Sequence, residues 1–320
     1  MTGAPGSAEA RAIVGGDRRA LARAISEVEN DGPSAAGLSK ALYPRTGKAP
    51  VVGITGPLGV GKSSLINLLV NRLRDLDRTV GILAVDPSSP YSGGSVLGDR
   101  IRFDRSARDA GVFFRSMASR GAAGGVAAAT REAARLLEAA GFDVILVETV
   151  GSGQVDIAIR DIASTSVVVL VPHLGDEVQT LKAGLFEIAD VFCVNKADLP
   201  GADLARKDLR ELVGLGAAHS GWSPPVVGTS TQPASGIEEL WNAVAAHEEF
   251  LDRSGQRQVE ERRRLSVEIV ERVREDVGRA LAARLERDPD LKALLDRVLA
   301  HATDPRSAAA RLTRLATRSR

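Results

Sequence analysis

Gly53-Ile54-Thr55-Gly56-Pro57-Leu58-Gly59-Val60-Gly61-Lys62-Ser63-Ser64 is the stretch whose reading decides the fold. The apolar pair Val51-Val52 precedes it, and the helical pattern LINLLVNRL at 65–73 follows. Strand, glycine turn and helix in that order fit G-x-x-x-x-G-K-[ST] at Gly56, Gly61, Lys62 and Ser63. The glycines, Gly59 among them, let the backbone curl so that successive N–H groups from Val60 to Ser64 face one anion. The helix that starts near Ser63 adds the partial positive charge of its N-terminus. In this reading Lys62 reaches the β- and γ-phosphates of a nucleotide, and Ser63 offers its hydroxyl to Mg2+.

A magnesium ion held there needs carboxylates at the ends of neighbouring strands. Asp86 follows the apolar run VGILAV, and Glu148 follows DVILV. A carboxylate just past an apolar strand points into the ligand crevice rather than into the core. In phosphoryl transfer the protein mainly positions and neutralises charge, so these groups suffice for the chemistry.

The base is read further along. The run Val191–Val194 ends in Asn195-Lys196-Ala197-Asp198, which fits the guanine signature N-K-x-D. Asp198 can accept from guanine N1–H and from the 2-amino group. Adenine has no such amino group and presents a lone pair at N1, so it would leave the carboxylate unpaired. Asn195 and Lys196 are expected to brace the loop. The nucleotides expected are therefore GTP and GDP. A last base-contacting loop is expected after the next strand, at Gly228-Thr229-Ser230-Thr231, where Ser230-Thr231 stands in place of the usual Ser-Ala pair.

Apolar runs and helical patterns alternate around these motifs. Strands are expected at 51–55, 79–85, 111–114, 143–147, 166–171, 191–194 and 225–227, and helices at 63–76, 126–140, 177–188, 204–212 and 237–250. The strands are apolar throughout rather than alternating, as in a parallel sheet buried on both faces. The fold class expected is α/β: a doubly wound, mostly parallel sheet, with its ligand at the carboxyl ends of the strands. An N-terminal extension at 1–48 carries a helix at 17–30, with an irregular start before it and a connector at 35–50. The P-loop domain spans 49–252. A helical segment at 253–320 carries Leu265, Ile269, Val273, Val277 and Leu281 at spacing four, a stripe that needs a partner surface. Residues 306–320 hold five arginines and no acid, and are expected to be a solvated basic end.

Composition narrows the classes. The 320 residues are 44% hydrophobic, with net charge +1, so no global field argues for nucleic acid or membrane as a partner. Cys193 is the one cysteine, which excludes a disulfide framework and fits a cytoplasmic protein. No apolar run approaches a membrane span of about 20 residues.

The segments GPLGVGKSS (56–64), VDPSSPYSGGSVLGDR (85–100), ETVGSGQ (148–154), GDEVQTLKAG (175–184) and NKAD (195–198) resemble the MeaB/ArgK family of P-loop GTPases. The resemblance covers most of the chain, and GDRRALARAISEVE at 16–29 also fits. It implies a homodimeric GTPase joined partly through its C-terminal helices. It further implies a chaperone for an adenosylcobalamin-dependent acyl-CoA mutase, typically methylmalonyl-CoA mutase, that gates cofactor loading and protects the mutase. Asp99 matches a switch acid that can approach the Mg2+, although an Asp in a glycine-rich loop is also a turn former. Asp176, Gln179 and Lys182 match a third switch segment that supports hydrolysis. Asp176 could equally cap a helix, and Lys182 could be a surface lysine. His173 and Thr231 depart from the family pattern, as do the residues after Gln154. Two alternatives compete: a metal-insertion GTPase, which would need thiol or imidazole ligands, and a low-turnover dimeric scaffold.

Overall fold

Three helices precede the first strand: α1 (Ser7–Val14), α2 (Arg18–Glu29) and α3 (Ala35–Leu42), with a 3-10 turn at Tyr43–Arg45. The coordinates are a computed structural model that describes residues 7–86, 109–118, 123–149, 154–172, 184–215 and 221–318. Asp17 caps α2, its carboxylate accepting from the N–H groups of Arg19 and Ala20. Two expectations fail here. Residues 7–14 are helical rather than irregular, and 35–42 form a helix rather than a connector. Ala, a strong helix former, is frequent in both segments. Each also has an apolar anchor: Ile13 in α1, and Leu38 and Leu42 in α3, are buried with Leu21, Ile25 and Val28 of α2.

The chain then alternates through β1 (Val51–Thr55), α4 (Lys62–Asp75), β2 (Val80–Asp86), β3 (Val112–Ala118), α5 (Ala123–Ala139), β4 (Val144–Thr149), α6 (Gln154–Ile162), β5 (Thr165–Leu170), α7 (Leu185–Ile188), β6 (Val191–Val194), α8 (Ala202–Leu215) and β7 (Val226–Gly228). A small antiparallel pair follows, β8 (Ser230–Thr231) with β9 (Ala234–Ser235), and then α9 (Ile237–Ser254). The seven main strands form one sheet in the order β3-β2-β4-β1-β5-β6-β7, and every pairing is parallel.

Successive side chains leave opposite faces of a strand. Val52, Ile54, Ile82, Leu146, Val167, Val169 and Val191 pack on one face with α4 and α9. Leu83, Val85, Ile145, Val147, Val168, Leu170 and Phe192 pack on the other with α5, α6 and α8. Both faces are covered, which is why the strands read as unbroken apolar runs. Helix α2 packs on α5, so the N-terminal helices form an outer layer over the second face. Arg115 of β3 pairs with Glu29 of α2 at 2.9 Å.

The chain divides into two compact units, Met1–Arg262 and Arg263–Arg320. Helix α9 ends at Gly255, whose φ of +74° suits glycine, and α10 (Gln256–Arg287) begins at the next residue. The second unit holds the remainder of α10, then α11 (Pro289–Leu299) and α12 (Pro305–Arg318). Asp288 caps α11, with Pro289 in its first turn. Residues 305–318 are helical, as expected of the helical segment at 253–320, and overlap the basic end expected at 306–320. Their Ala and Leu content supports helix, and their arginines remain on the surface where described.

Candidate nucleotide site

The order of the sheet brings the carboxyl ends of β1, β4 and β5 together, where the chain switches sides of β1. The loop after β1 turns there. Gly56 has φ +138°, and a Cβ on it would lie 2.1 Å from the Val169 carbonyl oxygen of β5. Gly61 has φ +93°, and a Cβ there would lie 2.6 Å from Asn195 Nδ2. Neither position admits a side chain, so the loop is pressed against β5 and against the base loop. Gly61 also begins α4 without a side-chain cap; the first helical bond runs from Leu65 N–H to Gly61 O at 3.0 Å. The N-terminus of α4 thus points its donors into the loop, an arrangement suited to an anion.

Lys62 lies within the loop with 6% exposure. Its Nζ donates to Gly56 O at 2.6 Å and to Pro57 O at 2.9 Å. The ammonium is therefore carried back across the turn that the glycines form. Ser63 Oγ donates to Glu148 Oε1 at 2.7 Å. Glu148, the last residue but one of β4, lies directly beside β1, in register with Ile54, and is buried. A hydroxyl and a carboxylate, both hard oxygen donors, thus meet beside the phosphate loop. That set fits Mg2+, which takes oxygen ligands from one or two carboxylates and completes its shell with water and substrate phosphate. Under these groups Thr149 Oγ1 donates to Thr55 Oγ1 at 2.8 Å, a buried link between β4 and β1 that the sequence did not announce. Asp86 closes β2, one residue beyond the pairing of Val85 with Thr149, so its backbone stands at the same edge. Asp99, Asp176, Gln179, Lys182 and His173 lie outside the described residues.

The base loop leaves β6 two strands away. Asn195 is buried, and its Nδ2 donates to Val60 O of the phosphate loop at 2.7 Å. Lys196 adopts φ +57°, and its Nζ donates to Gly59 O at 3.1 Å. Both residues brace the loop, and the surface they brace it against is the phosphate loop itself. Asp198 is exposed and accepts from the buried Ser230 Oγ at 2.6 Å. Ser230 Oγ in turn accepts from Gln232 N–H at 3.2 Å. Thr231 stands next in β8, half-buried, with no described bond to Asp198. Thr229 lies in the loop expected from the sequence, which assigned it no role of its own. It is fully buried and donates from Oγ1 to Asn195 Oδ1 at 3.1 Å. Its one available signal was its position, just after a short apolar strand and before Ser230. Cys193 Sγ lies 3.1 Å from the same hydroxyl, and burial pushes the thiol up to about 12.

A phosphate loop on an uncapped helix, a serine–carboxylate pair and a braced N-K-x-D loop, all on one edge of a parallel sheet, define a P-loop GTPase. The profile described as methylmalonyl Co-A mutase-associated GTPase MeaB matches residues 21–286, and the chain belongs to that family. A putative GTPase of Pyrococcus abyssi (strain GE5 / Orsay) is 48% identical over 297 residues, covering 92% of this chain and 91% of the relative. The mitochondrial methylmalonic aciduria type A homolog of Mus musculus is 34% identical over 262 residues, covering 76% of this chain and 63% of the relative. Among solved structures, one titled LAO/AO transport system kinase superposes with a TM-score of 0.74 at 26% identity, covering 98% of each chain. The chain is accordingly a GTPase that binds guanine nucleotide. Among the described residues, no helix is long and apolar enough to cross a membrane.

Proposed function

We propose that this GTPase is a chaperone for an adenosylcobalamin-dependent acyl-CoA mutase, such as methylmalonyl-CoA mutase, gating cofactor loading and protecting the mutase. One observation carries the reading: the mutase-associated family profile extends over 21–286, beyond the P-loop core into α2, α3 and α10. The mouse relative, named for methylmalonic aciduria, supports it. Lys62 and the N–H groups from Gly59 to Ser64 hold the phosphates. Ser63 and Glu148, with Asp86 and Asp99, hold Mg2+, which when bound neutralises phosphate charge. Asn195, Lys196, Asp198, Ser230 and Thr231 form the base site. Asp176, Gln179 and Lys182 form the segment that responds to the mutase. A metal-insertion role is disfavoured by Cys193, whose buried, protonated thiol offers no ligand.

The partner is tested by GTP turnover of the purified protein, alone and with a cobalamin-dependent methylmalonyl-CoA mutase. A rise of about 10-fold or more, worth about 1.4 kcal/mol of barrier, is expected; an unchanged rate at saturating mutase contradicts the reading. The protein acts as a homodimer in this proposal, joined through α10. Ile269, Val270, Val273 and Val277 of that helix are exposed, an apolar stretch that a partner surface would cover. Ile269→Glu with Val273→Glu is expected to give monomers by sedimentation. A dimer that survives both charges moves the interface elsewhere.

A further inference from the structure

Ser116 Oγ is the one hydroxyl among the described residues that is buried without a hydrogen-bond partner. Such a group destabilises a fold, because it has left water and found no substitute. Its place in the sheet points to a use. Along β3, Phe113 and Met117 pack on the face covered by α2 and α5, whereas Val112 and Phe114 pack on the face covered by α4. Alternation therefore sets Ser116 on the α4 face.

The register of the sheet extends that row. Ser116 stands opposite Ala84 of β2, Ala84 opposite Glu148 of β4, and Glu148 opposite Ile54 of β1. Two residues earlier on β2, β4 and β1, Ile82, Leu146 and Val52 all belong to the α4 face, and Glu148 meets Ser63 in the first turn of α4. Ser116 and Glu148 thus share one row of one face, two strands apart, with about 10 Å between their Cα atoms at the usual strand spacing. Between them stands only the methyl group of Ala84, which is buried. A serine does not reach a carboxylate across that span, but one water joins them. It finds a hydroxyl and a carboxylate as partners, and no large side chain on the row blocks it.

We propose that Ser116 is a positioning residue of the Mg2+ site: its hydroxyl orients Glu148 through a water seated over Ala84. The proposal rests on the reading that Ser63 and Glu148 hold the metal. Ser63 fixes one oxygen of Glu148, and the water adds a second constraint on the same carboxylate. The hydroxyl is then kept at the expense of the nucleotide-free protein and becomes useful when the metal is bound.

The test is Mg2+-dependent GDP binding, with thermal unfolding of the nucleotide-free protein, on the whole chain carrying Ser116→Ala, Ser116→Thr, Ala84→Val or Glu148→Gln. Ser116→Ala is expected to raise the Mg2+ concentration that half-maximally tightens GDP by about 10-fold, as for other groups that orient a metal ligand. Its GDP affinity in EDTA should stay within about twofold of the parent, since the residue acts only through the metal site. Its Tm should equal or exceed that of the parent, because an unpaired hydroxyl is removed. Ser116→Thr keeps the hydroxyl and should stay within about threefold of the parental Mg2+ curve. Ala84→Val fills the row and should shift that curve as Ser116→Ala does, with less than about twofold further change when the two are combined. Should Ser116→Ala fail to fold, Ala84→Val is read by the same criteria. A raised Tm with an unshifted Mg2+ curve overturns the proposal. A lowered Tm with an equal loss of GDP affinity in EDTA and in Mg2+ overturns it too, because support of the fold acts on both. Glu148→Gln separates the proposal from the reading beneath it. A shift in Glu148→Gln alone refutes the role of Ser116 and keeps the metal at Glu148. No shift in either variant moves the metal elsewhere and overturns both.

Discussion

The sheet has buried polar groups at both edges, and they are used in opposite ways. At the carboxyl edge, Lys62, Asn195 and Lys196 each donate to a backbone carbonyl of the phosphate loop. At the amino edge, side chains satisfy one another. His247 of α9 meets Thr165 Oγ1 through Nδ1 at 2.8 Å, and Thr165 and Ser164 both donate to Glu248 Oε1, at 2.6 and 2.5 Å. Asp190 accepts from Ser166 N–H at 2.7 Å and lies 3.5 Å from His247 Nε2. Arg257 closes the network on Glu248 at 2.9 Å. The first edge shapes loops around a ligand; the second roots α9 and the start of α10 on the strands.

Proton counting explains the ionisation at the second edge. Thr165 gives its proton to Glu248, so His247 Nδ1 is the donor and Nε2 faces Asp190 as an acceptor. Two acceptors facing each other at 3.5 Å favour a protonated acid and a neutral ring. Burial pushes Asp190 up to about 7 despite the Ser166 N–H and Arg160, with Glu248 and Glu260 adding to the rise. Burial likewise takes His247 down to about 4.

If the carboxyl edge holds the phosphates, Lys62→Ala produces the largest effect. It should lower GTP affinity on the order of 100-fold or more, since a charge-assisted contact is lost. Isothermal titration measures this, and parental affinity would dissolve the assignment. Glu148→Gln is expected to be next, weakening the magnesium dependence of turnover by about 10- to 100-fold. A magnesium titration of GTPase rate reads it, and an unshifted curve would move the metal from this carboxylate. The amino edge gives the smallest effect, and its sign is fixed. Asp190 has its folded pKa above 3.8, so the stability linked to its proton is present in acid and lost as pH rises through about 7. His247 has its folded pKa below 6.5, so its linked stability is present above 6.5 and lost as pH falls toward 4. The two slopes oppose each other between pH 4 and 6.5. Asp190→Asn removes one slope, so the variant should gain on the parent as pH rises from 5 to 8 and become the more acid-labile protein. Urea unfolding across that range checks it; parallel pH profiles would mean that the pair does not titrate as described.

The same contrast explains what could be read in the sequence. Gly56, Gly61, Lys62, Ser63, Glu148, Asn195 and Asp198 were legible because a phosphate loop and a guanine loop need fixed residue types at fixed spacing. The strands were legible because burial on both faces leaves unbroken apolar runs. Helices α1 and α3 were not, since short Ala-rich segments owe their helicity to packing against α2 and α5. Asp190 and His247 were invisible for a related reason: their partners are distant in sequence, and nothing local distinguishes them from an ordinary loop acid and an ordinary helix histidine.

The account rests most heavily on Asp198 as the guanine reader, and nucleotide choice tests it directly. Rates of GTP, ATP and XTP hydrolysis should be compared for the parent and for Asp198→Asn, which replaces an acceptor with a donor. The account predicts a parent that hydrolyses GTP and neglects ATP, and a variant whose preference moves to XTP. A parent that uses ATP as well as GTP, or a variant that keeps its GTP preference, would contradict it.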